Sequence, residues 1–317
     1  MDEILDVDLL AFEQGSSAER AAVVDGVMRS LTTGFVYTRS DLSEQLLDET
    51  YATLEQFFHL PLDRKQTIDA SDTGGQSGYT GLMVETAAIS ETPDWKEMLN
   101  FGAPLPPSHP LAARFANRYQ PPRLPEEDLP GSTELLLEFH AALADLQQRF
   151  LRIIAEGIGA HESYFDEMTT HGAHLTRAIR YPPMTEAPDG GQHVWADEHG
   201  DINLITALPR ATARGLQVKT DSGWVDAAPP EGHVIINTGI MLEHLTNGMI
   251  PIGWHRVVAD PDSDEERISV VQFCHPTPWT ILTPAVSTVT PERPQRYSAI
   301  SAGDRLDQEL WAIGLLG

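Results

Sequence analysis

The 317-residue chain has one cysteine, Cys274, so no disulfide can form within it, and its apolar neighbours in VVQFC favour an inert buried thiol over a nucleophile. Basic residues are scarce. Against 47 Asp and Glu stand 21 Lys and Arg, a formal charge of -26 that repels nucleic-acid phosphates and anionic membrane surfaces. No apolar stretch approaches the ~20 residues needed to span a bilayer, and the opening MDEILDVDLLAF has neither a basic leader nor a signal-peptide core. These absences predict a cytoplasmic protein with no nucleic-acid or membrane partner, and they leave its oligomeric state open. Internal repeats and low-complexity tracts are missing too.

What is present divides into a helical front and a β-rich remainder. Apolar positions fall on helical spacing over residues 18–32, GFVY at 34–37 reads as a strand, and a second helix is expected from Ser40-Asp41 to Phe58. DASDTGGQSGYTG at 69–81 reads as loop, and the proline-rich 102–131 as an irregular connector. A long helix follows from Ser132 to Gly157, its stripe of Leu136, Phe139, Leu143, Leu146 and Phe150 marking a core face. From Ala173 onward come short β-branched runs punctuated by Pro, Gly, Asn and Asp: LTRAIRY, INLITAL, LQVKT, GWVDA, HVIINTG, WHRVV and RISVVQF. Such a pattern predicts a mainly β protein with flanking helices, a jelly roll in one domain of residues 1–317. Its parts are a helix-rich N-terminal region (1–130), a supporting helix (131–160), a catalytic core (173–285) and a helical tail (286–317).

The chemistry concentrates in HGDINLITAL at 199–208. In a strand, residues i and i+2 share a face with Cα atoms about 7 Å apart, so His199 and Asp201 can converge on one ion. His255 in WHRVV is the best third ligand, and two histidines with one carboxylate form the facial set that holds non-heme Fe(II) with positions left open. One H-x-D is expected by chance in a chain with 12 histidines, and this chain holds one. Its weight comes from a second i, i+2 pair, Arg267-Ile-Ser269, which puts a guanidinium and a hydroxyl on one strand face, a fit for the far carboxylate of a dicarboxylate co-substrate. QHVWADEHGD also offers His193, Asp197 and Glu198 as rival ligands.

With these motifs in order, the chain resembles the isopenicillin N synthase-like branch of the Fe(II)/2-oxoglutarate-dependent oxygenases. HGDINLITAL, WHRVV and ERISVVQFCHP carry the resemblance, with AIRYPP entering the core and PDWKEMLNFG in the N-terminal region. The resemblance implies a double-stranded β-helix (jelly roll, cupin-like), with iron held by His199, Asp201 and His255 and 2-oxoglutarate by Arg267 and Ser269. It also implies that dioxygen is split, that 2-oxoglutarate is decarboxylated to succinate, and that a small-molecule substrate is oxidised, chiefly by hydroxylation. Tyr181 matches a position that contacts co-substrate or substrate. Counting back by twos puts Arg177 on its face as a candidate for an anionic or polar substrate group, and Phe273 shares the parity of Ser269 as a candidate apolar wall. Tyr79, a third candidate for substrate contact, and the C-terminal helix around residues 306–313 are expected over the barrel mouth, where they choose the substrate. Two alternatives stand beside this reading: an oxidase like isopenicillin N synthase that uses no 2-oxoglutarate, and a non-catalytic β-barrel binding protein.

Overall fold

Strands of two to eight residues, too short to persist alone, gain stability here by pairing across sheets that face one another. The computed structural model describes residues 3–84, 93–106, 108–188, 194–259 and 264–312. Its strands are β1 (Asp6–Asp8), β2 (Phe35–Arg39), β3 (Gly78–Thr80), β4 (Glu97–Phe101), β5 (Leu175–Tyr181), β6 (Ala196–His199) and β7 (Ile205–Leu208). There follow β8 (Leu216–Thr220), β9 (Gly223–Asp226), β10 (His233–Thr238), β11 (His255–Val257), β12 (Arg267–Cys274), β13 (Ile281–Leu282) and β14 (Ile300–Ser301). The larger sheet runs β1-β2-β10-β7-β12-β5-β4-β3 and the smaller β6-β11-β8-β9, while β13 pairs with β14. From β5 to β12 the chain passes back and forth between the two main sheets, with β8 and β9 forming a hairpin within the smaller one, which winds it into a double-stranded β-helix.

Side-chain alternation gives the large sheet two different faces. On β5, Thr176 and Ala178 turn towards the helix Ser132–Gly157, whose Leu136, Phe139, Leu143, Leu146 and Phe150 are buried in one core with Ala178, Val270 and Ile236. Each such side chain stabilises the fold by about 1.5–3 kcal/mol, and Phe139→Ala would cost about 3–5 kcal/mol through the cavity it leaves. Ile179 and Tyr181 turn the other way, into a second core with Met98, Trp195, Leu216 and Val218 between the sheets. The site lies in that second interior.

Local expectations are corrected at several points. HGDINLITAL is not one strand: β6 ends at His199, residues 200–204 cross between the sheets, and β7 starts at Ile205. The crossing satisfies its backbone against residues 239–241, with Ile240 N–H donating to Asp201 O (2.8 Å), Met241 N–H to Ile202 O (3.1 Å) and Gly239 N–H to Leu204 O (2.9 Å). Within the expected loop 69–81, residues 78–80 form β3 against β4, and the proline-rich connector contains the helix Pro110–Arg114. The second helix begins at Glu44, not at residue 40, because Ser43 is the residue whose hydroxyl accepts from Leu46 N–H. Among the described residues no helix is long and apolar enough to cross a membrane.

Candidate active site

His199 and His255 are direct partners across β6 and β11, which brings their ring centroids to 4.3 Å. Each Nδ1 meets a backbone carbonyl two residues earlier, Asp197 O at 2.7 Å and Gly253 O at 3.0 Å. A carbonyl can only accept, so Nδ1 carries a proton in both rings and Nε2 is the nitrogen left outside these bonds. Burial, reinforced by the neighbouring His255 ring, lowers the His199 pKa to about 4, so this ring is neutral near pH 7. Phe35 packs edge-on against His255 at 5.9 Å and fixes that ring further.

Asp201 arrives from the crossing segment rather than from a strand. Its Oδ2 accepts from Asn237 Nδ2 at 2.7 Å and from the Thr206 hydroxyl, so two donors fix the carboxylate beside the histidines. Burial alone would raise this carboxyl, but His255, His199 and the two donors outweigh it and hold it below the ordinary carboxylate range. One ligand atom from each of the three residues lies within 4.8 Å of the others. Two imidazoles with Nδ1 tied to the backbone and one ionised carboxylate held by two donors are a donor set that fits a divalent first-row metal.

The cavity next to this triad, about 70 Å³, is lined by His199, Asp201 and His255 together with Arg267, Ser269, Tyr181, Arg177 and Phe273. Register explains the gathering. Across β5 and β12, Arg267 opposes Tyr181, Ser269 opposes Ile179, and Val271 opposes Arg177, all with inward parity. Phe273 opposes Thr206 of β7, so the apolar wall meets the strand that steadies Asp201. Arg267, at the other end of β12, is 1% exposed; its Nη1 donates to Ser269 Oγ (2.8 Å), its Nε to Ala213 O (3.2 Å), and its Cζ lies 5.2 Å from the Tyr181 ring centroid. No carboxylate among the described residues pairs with it. Burial lowers its pKa, and a guanidinium in that state is strongly attracted to an incoming anion.

Tyr79 goes elsewhere. It opposes Leu99 on the helix-facing side of β4, and its hydroxyl donates to Glu97 Oε2 at 2.6 Å in a buried network with Lys65 (2.6 Å) and Arg180 (2.8 Å). Arg180 thus belongs to the ion network, while Arg177 faces the cavity, with its Nε donating to Asn100 Oδ1 at 3.0 Å and its Cζ 5.5 Å from the Phe273 ring. Of the rival ligands, Glu198 pairs with Lys219, Asp197 caps the Glu198 N–H, and His193 lies outside the described residues.

Sequence reasoning passed over four polar residues. Lys96 lines the cavity with its Nζ on Asp94 (2.8 Å); Asn237 and Thr206 hold Asp201; Asn100 holds Arg177 and donates to Gly75 O. Alternation through Lys96, Met98 and Asn100 could have exposed the first and last. Thr206 and Asn237 gave no local signal, because their partner lies on another segment.

Comparison with known proteins adds to this geometry. Residues 4–127 match the family model described as the N-terminal region of the non-haem dioxygenase in morphine synthesis, and residues 172–276 match that of the 2OG-Fe(II) oxygenase superfamily. A 2-oxoglutarate-Fe(II) type oxidoreductase of Aspergillus fumigatus is 29% identical over 273 residues, covering 84% of this chain and 80% of that one. Among solved structures, a 2OG-Fe(II) oxygenase family protein from Caulobacter crescentus is similar with a TM-score of 0.86 and 30% identity, covering 99% of this chain and all of that one. A full-length Neurospora crassa protein, solved in complex with alpha-KG and thymine, is similar at a TM-score of 0.84 and 26% identity, covering 98% of this chain and 96% of that one.

Proposed function

Because the chain belongs to the 2OG-Fe(II) oxygenase superfamily, and is a 2-oxoglutarate-dependent oxidoreductase using Fe(II) and dioxygen, we propose how its own residues divide the work. His199, Asp201 and His255 hold the iron through two Nε2 atoms and one carboxylate oxygen. Arg267 and Ser269 receive the far carboxylate of 2-oxoglutarate, and Tyr181 packs against that guanidinium and limits where the co-substrate lies. When bound, the iron supplies dioxygen activation coupled to conversion of 2-oxoglutarate to succinate and carbon dioxide.

The remaining residues bind and orient. Backbone carbonyls of Asp197 and Gly253 keep the imidazole protons on Nδ1, and Asn237 and Thr206 keep Asp201 ionised and aimed. Arg177, anchored by Asn100, meets a polar or anionic group of the substrate while Phe273 covers an apolar part, and the outcome is hydroxylation of a small molecule. The thymine in the Neurospora crassa complex is an example of a small molecule in a similar fold. A single cysteine and the strong acidity fit a cytoplasmic enzyme with no nucleic-acid partner.

One observation carries the reading: a buried arginine with no carboxylate partner among the described residues shares a cavity with a two-histidine, one-carboxylate cluster. The test is anaerobic loading with Fe(II) and 2-oxoglutarate, then oxygen, with succinate and oxidised substrate counted against dioxygen consumed. Equal amounts support the reading. It fails if the iron-loaded protein has no affinity for 2-oxoglutarate, or if Asp201→Ala retains the iron.

A further inference from the structure

Behind the active-site cavity lies a larger one of about 510 Å³, and nothing in the reading above uses it. Its walls are the β7–β8 connection (209–215), the β9–β10 connection (227–232) and the start of the second long helix at Glu44 and Leu47. These connections are rich in Pro, Gly and Ala, so they leave open space rather than filling it with side chains. Four residues line both cavities: Leu208, Leu216, Ile235 and Arg267. The partition between them is therefore about one side chain thick, and the unpaired guanidinium stands in it.

Charges in the rear cavity are arranged by depth. Glu44, Asp226 and Glu231 are exposed at the rim, where solvent screens them, and Arg210 is already paired with Asp48 at 2.8 Å. Arg214 is exposed with no ion pair among the described residues. The deepest charge is Arg267, 1% exposed and unscreened. An anion that enters from behind finds its strongest partner at the inner end.

We propose that the rear cavity is a port for small dicarboxylates, through which 2-oxoglutarate reaches Arg267 and succinate leaves. The proposal rests on the co-substrate reading above. In this structure the partition is shut, with Leu208 and Leu216 each 8% exposed and Ile235 3%. Opening requires rotamer changes of leucine side chains against the 209–215 connection, which is tied to β12 by Ile268 N–H donating to the Thr212 hydroxyl (2.8 Å) and by Arg267 Nε donating to Ala213 O.

The chain's cysteine content makes a plug easy to install. Cys274 is 1% exposed and inert, so Ala228→Cys, on the exposed part of the rear wall, can be alkylated selectively with a bulky maleimide. Binding of 2-oxoglutarate to the anaerobic Fe(II) protein is then followed by rapid mixing, with and without the adduct. An adduct at Ser222→Cys, outside the cavity, is the control. A plugged route slows association and dissociation together, each by about tenfold or more, while Kd and the Ser222→Cys control stay unchanged. Unchanged rates overturn the port, as does a weaker Kd at an unchanged dissociation rate, because the adduct would then be acting on the site rather than on the path. If the unlabelled protein binds no 2-oxoglutarate, the co-substrate reading itself fails and the port falls with it.

Discussion

Asn237 of β10 donates to the same Asp201 oxygen that accepts the Thr206 hydroxyl of β7, so two neighbouring strands of the large sheet aim a carboxylate carried by the segment leaving the small one. The carboxylate takes its direction from those bonds. Asn237→Leu preserves shape and removes one donor. The expected outcome is Fe(II) affinity weaker by about 10–100-fold, with secondary structure unchanged, measured by anaerobic titration.

Arg267 pulls stability and binding in opposite directions. Unpaired burial of a guanidinium costs folding free energy, and the same unpaired state favours an anionic ligand. Arg267→Met keeps the unbranched stem and removes the charge. In the absence of 2-oxoglutarate this variant should melt no lower than the parent, and its 2-oxoglutarate Kd should rise by at least about thirtyfold, since losing one partner of a buried charged contact costs roughly 2–5 kcal/mol. A marked drop in melting temperature with intact affinity would reassign Arg267 to a structural role.

What could be read in advance was whatever repeats along the chain. Strand parity put Arg177, Tyr181, Arg267, Ser269 and Phe273 on inward faces, and the cavity gathers all five. The same parity argument misled at Asp201, because His199 and Asp201 belong to a strand end and a sheet crossing that depend on hydrogen bonds to residues 239–241. Tyr79 went astray for a related reason. Its Gly-rich neighbourhood reads as loop, while pairing with β4 turns it into an edge strand whose tyrosine points at the buried Glu97. Contacts between distant segments decide these cases, and no local pattern contains them.

His140 sits in the helix-facing core, 2% exposed, with Nδ1 2.8 Å from the Thr176 hydroxyl and 3.2 Å from Gln272 Nε2. Burial lowers its pKa to about 3, so the folded protein keeps this ring neutral while the unfolded chain protonates it near pH 6.5. Its contribution is complete above about pH 6.5 and is lost as the pH falls towards 3, with a slope of up to ~1.4 kcal/mol per pH unit. Urea unfolding at intervals between pH 4 and 7 should show that slope, and His140→Gln should reduce it.

Tyr79→Phe separates a structural tyrosine from a substrate-binding one. The hydroxyl donates to the buried Glu97 carboxylate, which keeps Lys65 and Arg180 as partners. Its removal should cost about 1–2 kcal/mol in denaturant unfolding while Fe(II) and 2-oxoglutarate affinities hold. A loss of substrate affinity with unchanged stability would return Tyr79 to the barrel mouth.

Arg177 offers the sharpest test of the substrate side. Its Nε is held by Asn100, which opposes it in register on β4, so the guanidinium is pre-oriented and loses little freedom on binding. Lysine keeps the charge but has no planar fork to share between Asn100 and a substrate group. In Arg177→Lys the substrate KM should rise by about tenfold or more, because the ammonium cannot keep both the Asn100 bond and a two-point contact with the substrate group. The KM for 2-oxoglutarate should stay within about twofold if its carboxylate is received, as proposed, by Arg267 at the other end of the cavity, and succinate formation without substrate should persist. Asn100→Ala should shift the same parameter in the same direction by a smaller factor, because it loosens Arg177 without removing it. Equal rises in both KM values would instead mean that Arg177 supports the cavity as a whole and leaves substrate choice to other residues.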